Sequence, residues 1–330
     1  MRIRSVNFAL ALLCAAMPAL PAASAASADE ARVWIKRMSE AVVQRNYDGV
    51  LEHSWAGGGS EALRITHRWR DGQMSERIAF LGSSYEITRN GTQYVEIDRR
   101  KGVAKAQTLT RSYGYLSAFN GISADSDKYY EIRKGGVQRL QGYPGQTQMI
   151  TVVPRDDLRY GYRFWLDQQS ALPIMTQLVT ASGQVIDTTF FQSLTLPETI
   201  DDELLKPALS AKQAQALHWV TTPKVSSTAV KQVFLPRASL LPPGFRKLNI
   251  NVSDAKGMAS GSENRFIVSD GINWVSVAVT VADKPQNEGL RKVSATAFLY
   301  VLRLDGHHIS VGGEVPPATV KSIAEAVRPE

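Results

Sequence analysis

The side chains that could support catalysis or hold a metal are few and widely spaced in this chain of 330 residues. It has a single cysteine, Cys14, and five histidines. His307 and His308 are adjacent, so on a strand their side chains point to opposite faces and do not easily share one ion. The sequence contains no motif typical of a serine nucleophile, a zinc protease or a phosphate-binding loop. We therefore predict a protein that is not an enzyme and that uses no metal and no cofactor.

The other histidine and acidic residues that could support catalysis or hold a metal are explained by the predicted fold. His67 falls on the apolar face of a predicted strand, where a hydrogen-bonded core histidine is the commoner outcome. Asp156 and Asp157 lie between two predicted strands and indicate a turn. The acidic run at residues 201–203 is typical of the start of a helix, with a calcium site as the alternative.

Aromatic side chains favour a binding role instead. They are concentrated in residues 109–130, where the periodicity is lost and a short helix or a long loop is predicted, and on a predicted strand near residue 160. If they line an open cleft, that cleft would suit an acyl chain or an amphipathic peptide; the alternative is that most of them fill the core. The candidate binding residues are Tyr113, Tyr115, Phe119, Tyr129, Tyr130, Tyr160, Tyr162 and Trp165.

The first residues are typical of an export signal. A positively charged start is followed by an apolar run at residues 8–17 and by small residues that favour cleavage after Ala25 or Ala28. The apolar run is shorter than the roughly 20 residues that a membrane-spanning helix needs, although a retained anchor is the alternative. Cys14 lies inside this segment, so the mature chain would contain no disulfide. The expected location is the periplasm.

The net positive charge of the chain indicates which classes of partner are expected. The chain has 38 basic and 31 acidic residues, and its formal net charge of +7 falls to +5 once Arg2 and Arg4 leave with the signal. The basic residues are scattered, so no nucleic-acid-binding arm is predicted. In an exported protein, such a surface favours an acidic protein or anionic lipid head groups, although solubility alone is an alternative explanation.

The elements that would position these side chains begin with a helix. Asp29 and Glu30 suit its N-terminus, where the helix dipole favours negative charge. The predicted apolar face of this helix is Trp34, Met38, Ala41 and Val42.

A long run of period-two alternation follows, from residue 50 to about residue 196, which is typical of strands. Glycines at 57–59 and the Asn90-Gly91 pair indicate hairpin turns. Successive hairpins predict one large antiparallel sheet, which hides its apolar face by curving around the helix as a half-barrel. The candidate strands are residues 63–70, 77–81, 85–89, 93–98, 147–153, 159–166, 174–180 and 184–194.

A second, smaller unit is predicted near the C-terminus, which makes the fold class α+β. Its strands are expected near residues 265–269, 273–281, 297–302 and 308–312, and Pro316 and Pro317 start a closing helix. The predicted boundaries are a signal peptide at 1–25, a first domain at 26–200, a linker at 201–230 and a C-terminal domain at 231–330.

Several ordered segments resemble the RseB/MucB family of periplasmic regulators of the bacterial envelope-stress (sigma-E) response. The likeness extends over nearly the whole mature chain and both predicted domains. The segments that carry it are Gly82, Glu86, Arg89 and Gly91; Tyr129-Tyr130, Arg139 and Gly142; Arg159-Tyr160-Gly161-Tyr162, Trp165-Leu166-Asp167 and Leu172-Pro173; Leu241-Pro242-Pro243-Gly244-Phe245; Ser269-Asp270-Gly271; and Ile309-Ser310-Val311-Gly312-Gly313-Glu314-Val315-Pro316-Pro317.

The resemblance implies a first domain similar to the lipoprotein carriers LolA and LppX, an unclosed barrel able to bind lipid or peptide. It implies a C-terminal domain that binds the periplasmic region of an RseA/MucA-like transmembrane anti-sigma factor and shields it from the site-1 protease. Lipopolysaccharide or lipoprotein acyl chains would loosen that grip. A second copy of the chain is a further expected partner. The alternative function is a periplasmic carrier of lipid or lipoprotein.

Overall fold

The computed structural model describes residues 23–108, 116, 124–221, 233–248, 264–283 and 285–330. Within these ranges the chain forms two main sheets, one large and one small, together with a two-stranded pair. The α+β class predicted from the sequence is confirmed. Most of the predicted signal peptide, residues 1–22, lies outside the described residues.

The large sheet has twelve strands within the described residues, in the order β12-β6-β5-β4-β3-β2-β1-β11-β10-β9-β8-β7. All its pairs are antiparallel except β12 with β6, which is parallel. Its strands are β1 Tyr47–Trp55, β2 Gly59–Arg70, β3 Gln73–Phe80, β4 Tyr85–Asn90, β5 Gln93–Asp98, β6 Val103–Thr108, β7 Tyr130–Arg139, β8 Gln146–Pro154, β9 Gly161–Asp167, β10 Pro173–Val179, β11 Val185–Thr195 and β12 His218–Thr221.

Helix α1, Ala23–Gln44, packs on one face of this sheet against β7, β8 and β2. Its side chains join a single core that contains Ile65 of β2 and Ile150 of β8, which are far apart in the strand order. The sheet must therefore curve around the helix, and the predicted half-barrel holding a helix is confirmed. The helical residues buried in this core are Ala31, Ile35, Met38, Ala41 and Val42.

The start of α1 differs from the prediction. The helix begins at Ala23, so Asp29 and Glu30 are not in its first turn. The residues before Asp29 are mostly alanine, which has the highest helix propensity and extends the helix towards the N-terminus. Trp34, predicted to be core, is half-buried, and the Arg37 guanidinium lies 4.2 Å from the centroid of its ring.

A buried polar cluster lies on the concave face of the large sheet. His67 is completely buried; its Nε2 lies 3.0 Å from the carbonyl oxygen of Val43, and its Nδ1 lies 3.2 Å from Glu76 Oε1. Tyr47 stacks on the His67 ring with a centroid separation of 4.5 Å. Arg89 Nη1 donates to Glu76 Oε2 at 2.7 Å. His67 is thus a hydrogen-bonded core histidine, as predicted.

The opposite, convex face is covered by residues 201–217, which include α2 Asp202–Leu205 and α3 Ala211–Ala216. Arg99 donates both to Glu86 and to the carbonyl oxygen of Ala208, and the Ala208 backbone N–H donates to Glu86. Strand β12 follows and extends the large sheet. Much of the stretch predicted as a linker, residues 201–230, therefore packs on the large sheet.

The small sheet has the order β14-β15-β16-β19-β18-β17, and α4 packs on one of its faces. Pro316 caps α4 and Pro317 is its first residue, as predicted. Strands β13 and β20 form a separate pair. The elements of this unit are β13 Phe234–Pro236, β14 Arg246–Leu248, β15 Asn264–Ser269, β16 Trp274–Val281, β17 Gly289–Lys292, β18 Phe298–Leu304, β19 His307–Gly313, α4 Pro317–Ala326 and β20 Val327–Pro329.

Two details of the turns and helices complete the fold. The turn predicted at Asn90-Gly91 lies one residue later, because Asn90 pairs with Gln93 and Gly91 takes the positive φ of 55°. None of the helices in the described ranges is both long and apolar enough to cross a membrane.

Candidate functional site at the junction of the two sheets

The loop between β15 and β16 reaches from the small sheet into the core of the large one. Ile272, at the tip of this loop, is 3% exposed and belongs to the same core cluster as α1. The flanking residues Asp270 and Asn273 are also buried. We call this loop, residues 270–273, together with the residues of the large sheet that it contacts, the junction.

The centre of the junction is a buried ion pair. Asp270 Oδ2 accepts from Arg159 Nη1 at 2.9 Å and from the Tyr130 hydroxyl at 2.6 Å. Its Oδ1 accepts from the backbone N–H groups of Ile272 at 2.9 Å and Asn273 at 2.8 Å. The side chains of Arg159 and Asp270 are both 0% exposed. Such a buried carboxylate is tolerated because four donors satisfy its oxygens.

Arg159 also contacts the segment that enters the small sheet. Its Nη2 donates to the carbonyl oxygen of Pro243 at 2.7 Å, and its Nε donates to Asp156 Oδ1 at 2.8 Å. The guanidinium carbon lies 4.7 Å from the centroid of Tyr129 and 5.3 Å from that of Phe245, within range of cation–π attraction. One side chain therefore connects three segments of the chain.

Gly244 is required at this position by its backbone and its surroundings. Its φ is +86°, a conformation that residues with a Cβ rarely adopt. A Cβ there would also lie 2.5 Å from the ring of Tyr129. The Pro242–Phe245 motif thus presents the Pro243 carbonyl to Arg159 through a turn that only glycine fits.

Two further contacts complete the junction. Asn273 Nδ2 donates to the Tyr130 hydroxyl at 2.7 Å and to the Tyr160 carbonyl at 3.0 Å, while its Oδ1 accepts from the Tyr160 N–H at 3.3 Å. Thr319 of α4 donates to the carbonyl oxygen of Leu158 at 2.5 Å. Burial, and then the Asp270 carboxylate, raise the pKa of Tyr130 far above its usual value, so its hydroxyl stays protonated and donates.

A second polar group, which includes His53, lies on the concave face at the same end of the large sheet. His53 Nε2 lies 2.6 Å from Asp187 Oδ2 and its Nδ1 lies 3.2 Å from Glu61 Oε1. The ring meets Trp55 edge-on with centroids 5.3 Å apart. Since both ring nitrogens face carboxylates, the imidazolium is the favoured form. The hydrogen bond to Asp187 raises the pKa of His53 to about 8, against the opposing effect of burial.

This raised pKa predicts a pH-dependent contribution to stability. A group whose pKa is raised by folding stabilises the native state below its unfolded value, and this contribution is lost as the pH rises through the folded value. The unfolded value is 6.5, so the loss should occur between pH 6.5 and about 8. After allowance for solvent screening of a side chain that is 24% exposed, we expect His53→Gln to cost about 1 kcal/mol more at pH 6 than at pH 9.

The measurement is urea unfolding of wild type and variant at both pH values. His218→Gln is the matched control, because His218 is exposed and has no carboxylate partner in the described residues. An equal cost of His53→Gln at the two pH values would contradict the assignment of an imidazolium between two carboxylates.

The structure brings together only some of the predicted binding residues. Tyr129, Tyr130 and Tyr160 belong to the junction, where their contacts are intramolecular. Tyr162 stacks on Phe164 against the concave core, with centroids 5.4 Å apart. Tyr113, Tyr115 and Phe119 lie outside the described residues.

Trp165 lies apart from these residues. Odd and even positions of a strand point to opposite faces, so Trp165 turns away from Tyr162 and Phe164. Its Nε1 donates to Gln138 Oε1 of β7 at 2.7 Å. The expectation that these aromatics share one lining therefore does not hold for Trp165.

Sequence reasoning did not select Arg159, Asp270 or Asn273 as site residues. Arg159 and Asp270 could have been selected, because both lie in the segments that carry the family resemblance. An arginine followed by two tyrosines, Tyr160 and Tyr162, at the start of an apolar strand also indicates a guanidinium that becomes buried on folding.

The acidic run at 201–203 starts a helix. Asp202 is the first residue of α2 and pairs with Arg68. Across the described ranges, no group of three or more histidine and carboxylate side chains is placed to hold a metal ion.

Comparison with known proteins covers both sheets. The family model of the MucB/RseB N-terminal domain matches residues 30–209, and that of the MucB/RseB C-terminal domain matches residues 236–328. The chain is 27% identical over 329 residues to the sigma factor AlgU regulatory protein MucB of Pseudomonas aeruginosa, with 97% of both chains covered. It is 24% identical over 332 residues to the sigma-E factor regulatory protein RseB of Escherichia coli K12, covering 99% of this chain and 98% of the relative.

Solved structures share the fold. The structure of the Pseudomonas aeruginosa MucA/MucB complex superposes with a TM-score of 0.65 at 21% identity, covering 91% of this chain and 99% of that chain. A crystal structure of MucB gives a TM-score of 0.59 at 21% identity, covering 93% of this chain and 99% of that chain. The likeness includes both the large and the small sheet.

Proposed function

The chain belongs to the MucB/RseB family, and from this premise we propose that it is a periplasmic regulator that binds the periplasmic region of a membrane-bound anti-sigma factor. Relatives across its full length carry the names of sigma factor regulatory proteins. MucB has been solved in complex with the periplasmic part of MucA. We propose that this chain binds a corresponding partner, shields it from site-1 proteolysis and is exported with cleavage after Ala25 or Ala28.

The observation that carries this proposal is the junction. Arg159, Asp270 and Asn273 tie the two sheets together by buried polar contacts, and we propose that the partner binds across the surface that the two sheets then share. A polypeptide bound across that surface would be held in a single conformation. A protease needs an extended segment of its substrate, so burial of that segment by a partner blocks cleavage.

Control by lipid is the second part of the proposal. Much of the concave face of the large sheet is apolar, and Leu116, from the stretch between β6 and β7, packs against its core. An acyl chain of lipopolysaccharide or lipoprotein that entered beside α1 would compete with these contacts. It would release the partner only if it bound one arrangement of the two sheets better than the other.

A regulator is favoured over a lipid carrier by how the concave face is filled. The apolar side of α1 already occupies much of it, with Ile35, Met38 and Val42 almost fully buried. A carrier also has no need of the second sheet or of a buried ion pair that joins it to the first. We therefore propose a binding role without catalysis.

The test is a protease-protection assay with the full chain. At about ten times its Kd the protein should leave about a tenth of the anti-sigma periplasmic domain unbound and slow site-1 cleavage by about tenfold. An unrelated single-pass periplasmic domain serves as the control substrate and should be cleaved at an unchanged rate. Undiminished cleavage of the anti-sigma domain with the protein in large excess would refute the regulatory proposal.

A further inference from the structure

Methionine side chains lie on either side of Trp165 on the convex face of the large sheet. Met149 of β8 is directly opposite Trp165 of β9, and Met175 of β10 is directly opposite it on the other side. Directly opposed residues of antiparallel strands point to the same face, with Cβ atoms about 5 Å apart. Phe164, the neighbour of Trp165, points to the other face and packs in the core with α1. Met149, Trp165 and Met175 therefore form a row across adjacent strands, which we call the methionine row.

The accessible thioethers of the described residues are in this row. Met38 and Met74 are 3% and 4% exposed, whereas Met149 and Met175 are only half-buried. Exposure decides which sulfurs a dissolved oxidant reaches. The single cysteine of the chain, Cys14, lies in the predicted signal peptide, so methionine is the oxidisable sulfur of the predicted mature chain.

Met149 contacts strand β7 at two positions. Its Sδ lies 3.6 Å from Gln138 Nε2 in a contact exposed to solvent, and a Cβ at Gly135 would lie 3.4 Å from the same sulfur. Glycine at position 135 therefore leaves that side of the sulfur uncovered. Gln138 Oε1 accepts from Trp165 Nε1 at 2.7 Å. Because an indole N–H can only donate, the amide oxygen of Gln138 must face Trp165, and its NH2 group then faces the sulfur.

We propose that Met149 and Met175 form an oxidation site for peroxides, and that their oxidation loosens strand β7. The lone pair of the thioether sulfur attacks one oxygen of hydrogen peroxide, so an S–O bond forms and the O–O bond breaks. The sulfur is oxidised by two electrons, and the second peroxide oxygen is reduced and leaves as water with both protons. The product is methionine sulfoxide, which is polar where the thioether was apolar. This proposal does not depend on anti-sigma binding.

The effect on β7 follows from the contacts of the row. Strand β7 lies at the edge of the large sheet, and the Gln138 carboxamide joins it to Met149 and Trp165. A sulfoxide oxygen accepts hydrogen bonds more strongly than a thioether sulfur, so it would draw the Gln138 NH2 group towards itself and away from the geometry that serves Trp165. The favourable contacts between the sulfurs and the indole ring would be lost as well.

The first measurement is the rate of oxidation at each methionine. The full chain is treated with hydrogen peroxide at neutral pH, quenched at intervals, digested and analysed by mass spectrometry. We expect Met149 and Met175 to be oxidised at least about tenfold faster than Met38 and Met74, because only the first pair is accessible. Equal rates at all four positions would overturn the proposal.

The second measurement is deuterium exchange of residues 135–139 before and after peroxide treatment. Oxidation should speed exchange there by about fivefold, because contacts that hold β7 are lost. Met149→Leu combined with Met175→Leu keeps the size and apolar character of both side chains but cannot be oxidised, so peroxide should leave its exchange unchanged. Met74→Leu is the matched control and should respond as wild type does. Oxidation of both sulfurs without faster exchange, or the same acceleration in the double variant, would overturn the proposal.

Discussion

Asp270→Ala is expected to lower the free energy of unfolding by about 3–5 kcal/mol, the range typical of breaking a buried ion pair from one side. The variant leaves the Arg159 guanidinium buried, with Asp156 as its remaining carboxylate contact, and that carboxylate is 33% exposed. Tyr130 and two backbone N–H groups of the loop lose their acceptor as well. The loss should be measured by urea unfolding, followed both by tryptophan fluorescence and by circular dichroism.

A matched control and a compensating variant make this prediction specific. Asp283→Ala removes an exposed carboxylate with no ion pair in the described residues, and should change stability by no more than about 0.5 kcal/mol. Arg159→Met combined with Asp270→Asn leaves no buried charge unpaired, so it should be less destabilised than Asp270→Ala. If Asp270→Ala were as stable as Asp283→Ala, the junction would not be what holds the two sheets together.

Strong local patterns allowed much of the fold to be predicted from the sequence. The alternation in β2 reflects the difference between buried Leu63 and Ile65 and exposed Arg64. Pro316 and Pro317 marked the start of α4. These features depend on residues a few positions apart, where spacing alone decides which side chains share a face.

The strands that the sequence did not predict have weak patterns for physical reasons. Strand β7 lies at the edge of the large sheet, and most residues of its second half are exposed, so hydrophobic alternation is absent there. Its Gly135 and Gly136 also coincide with an irregular register. Strand β12 has four residues and pairs in parallel with β6 across a long connection. No local sequence pattern predicts such a pairing.

The junction was harder to predict because its partners are distant in sequence. Arg159 and Asp270 are 111 positions apart, and Tyr130 and Asn273 are 143 apart. Charge and aromatic content indicated that the region near residue 160 was unusual, but only the folded chain shows which carboxylate neutralises the arginine. Aromatic residues alone therefore indicated part of the junction but not Asp270 and Asn273, which they contact there.

Glu86 is one of the residues that carry the family resemblance, but its contacts could not be predicted from the sequence. Glu86 is 0% exposed and accepts from Arg77 at 2.9 Å and from Arg99 at 3.0 Å. It also accepts from the Ala208 backbone N–H at 3.3 Å. One carboxylate thus fastens the segment that covers the convex face to strands β3 and β4.

Glu86→Gln should therefore cost about 3 kcal/mol of unfolding free energy, because it keeps the size of the side chain but leaves two largely buried guanidinium groups without their counter-charge. Limited proteolysis should also cut the segment 201–217 faster, since its attachment to the sheet is weakened. Glu203→Gln is the control: it removes a carboxylate of the same segment that is 79% exposed, and its pair with Lys206 should contribute less than about 1 kcal/mol. Equal stability and equal cleavage rates of the two variants would show that Glu86 is a solvated surface charge in solution, and the covering segment would then have to be held by its apolar contacts alone.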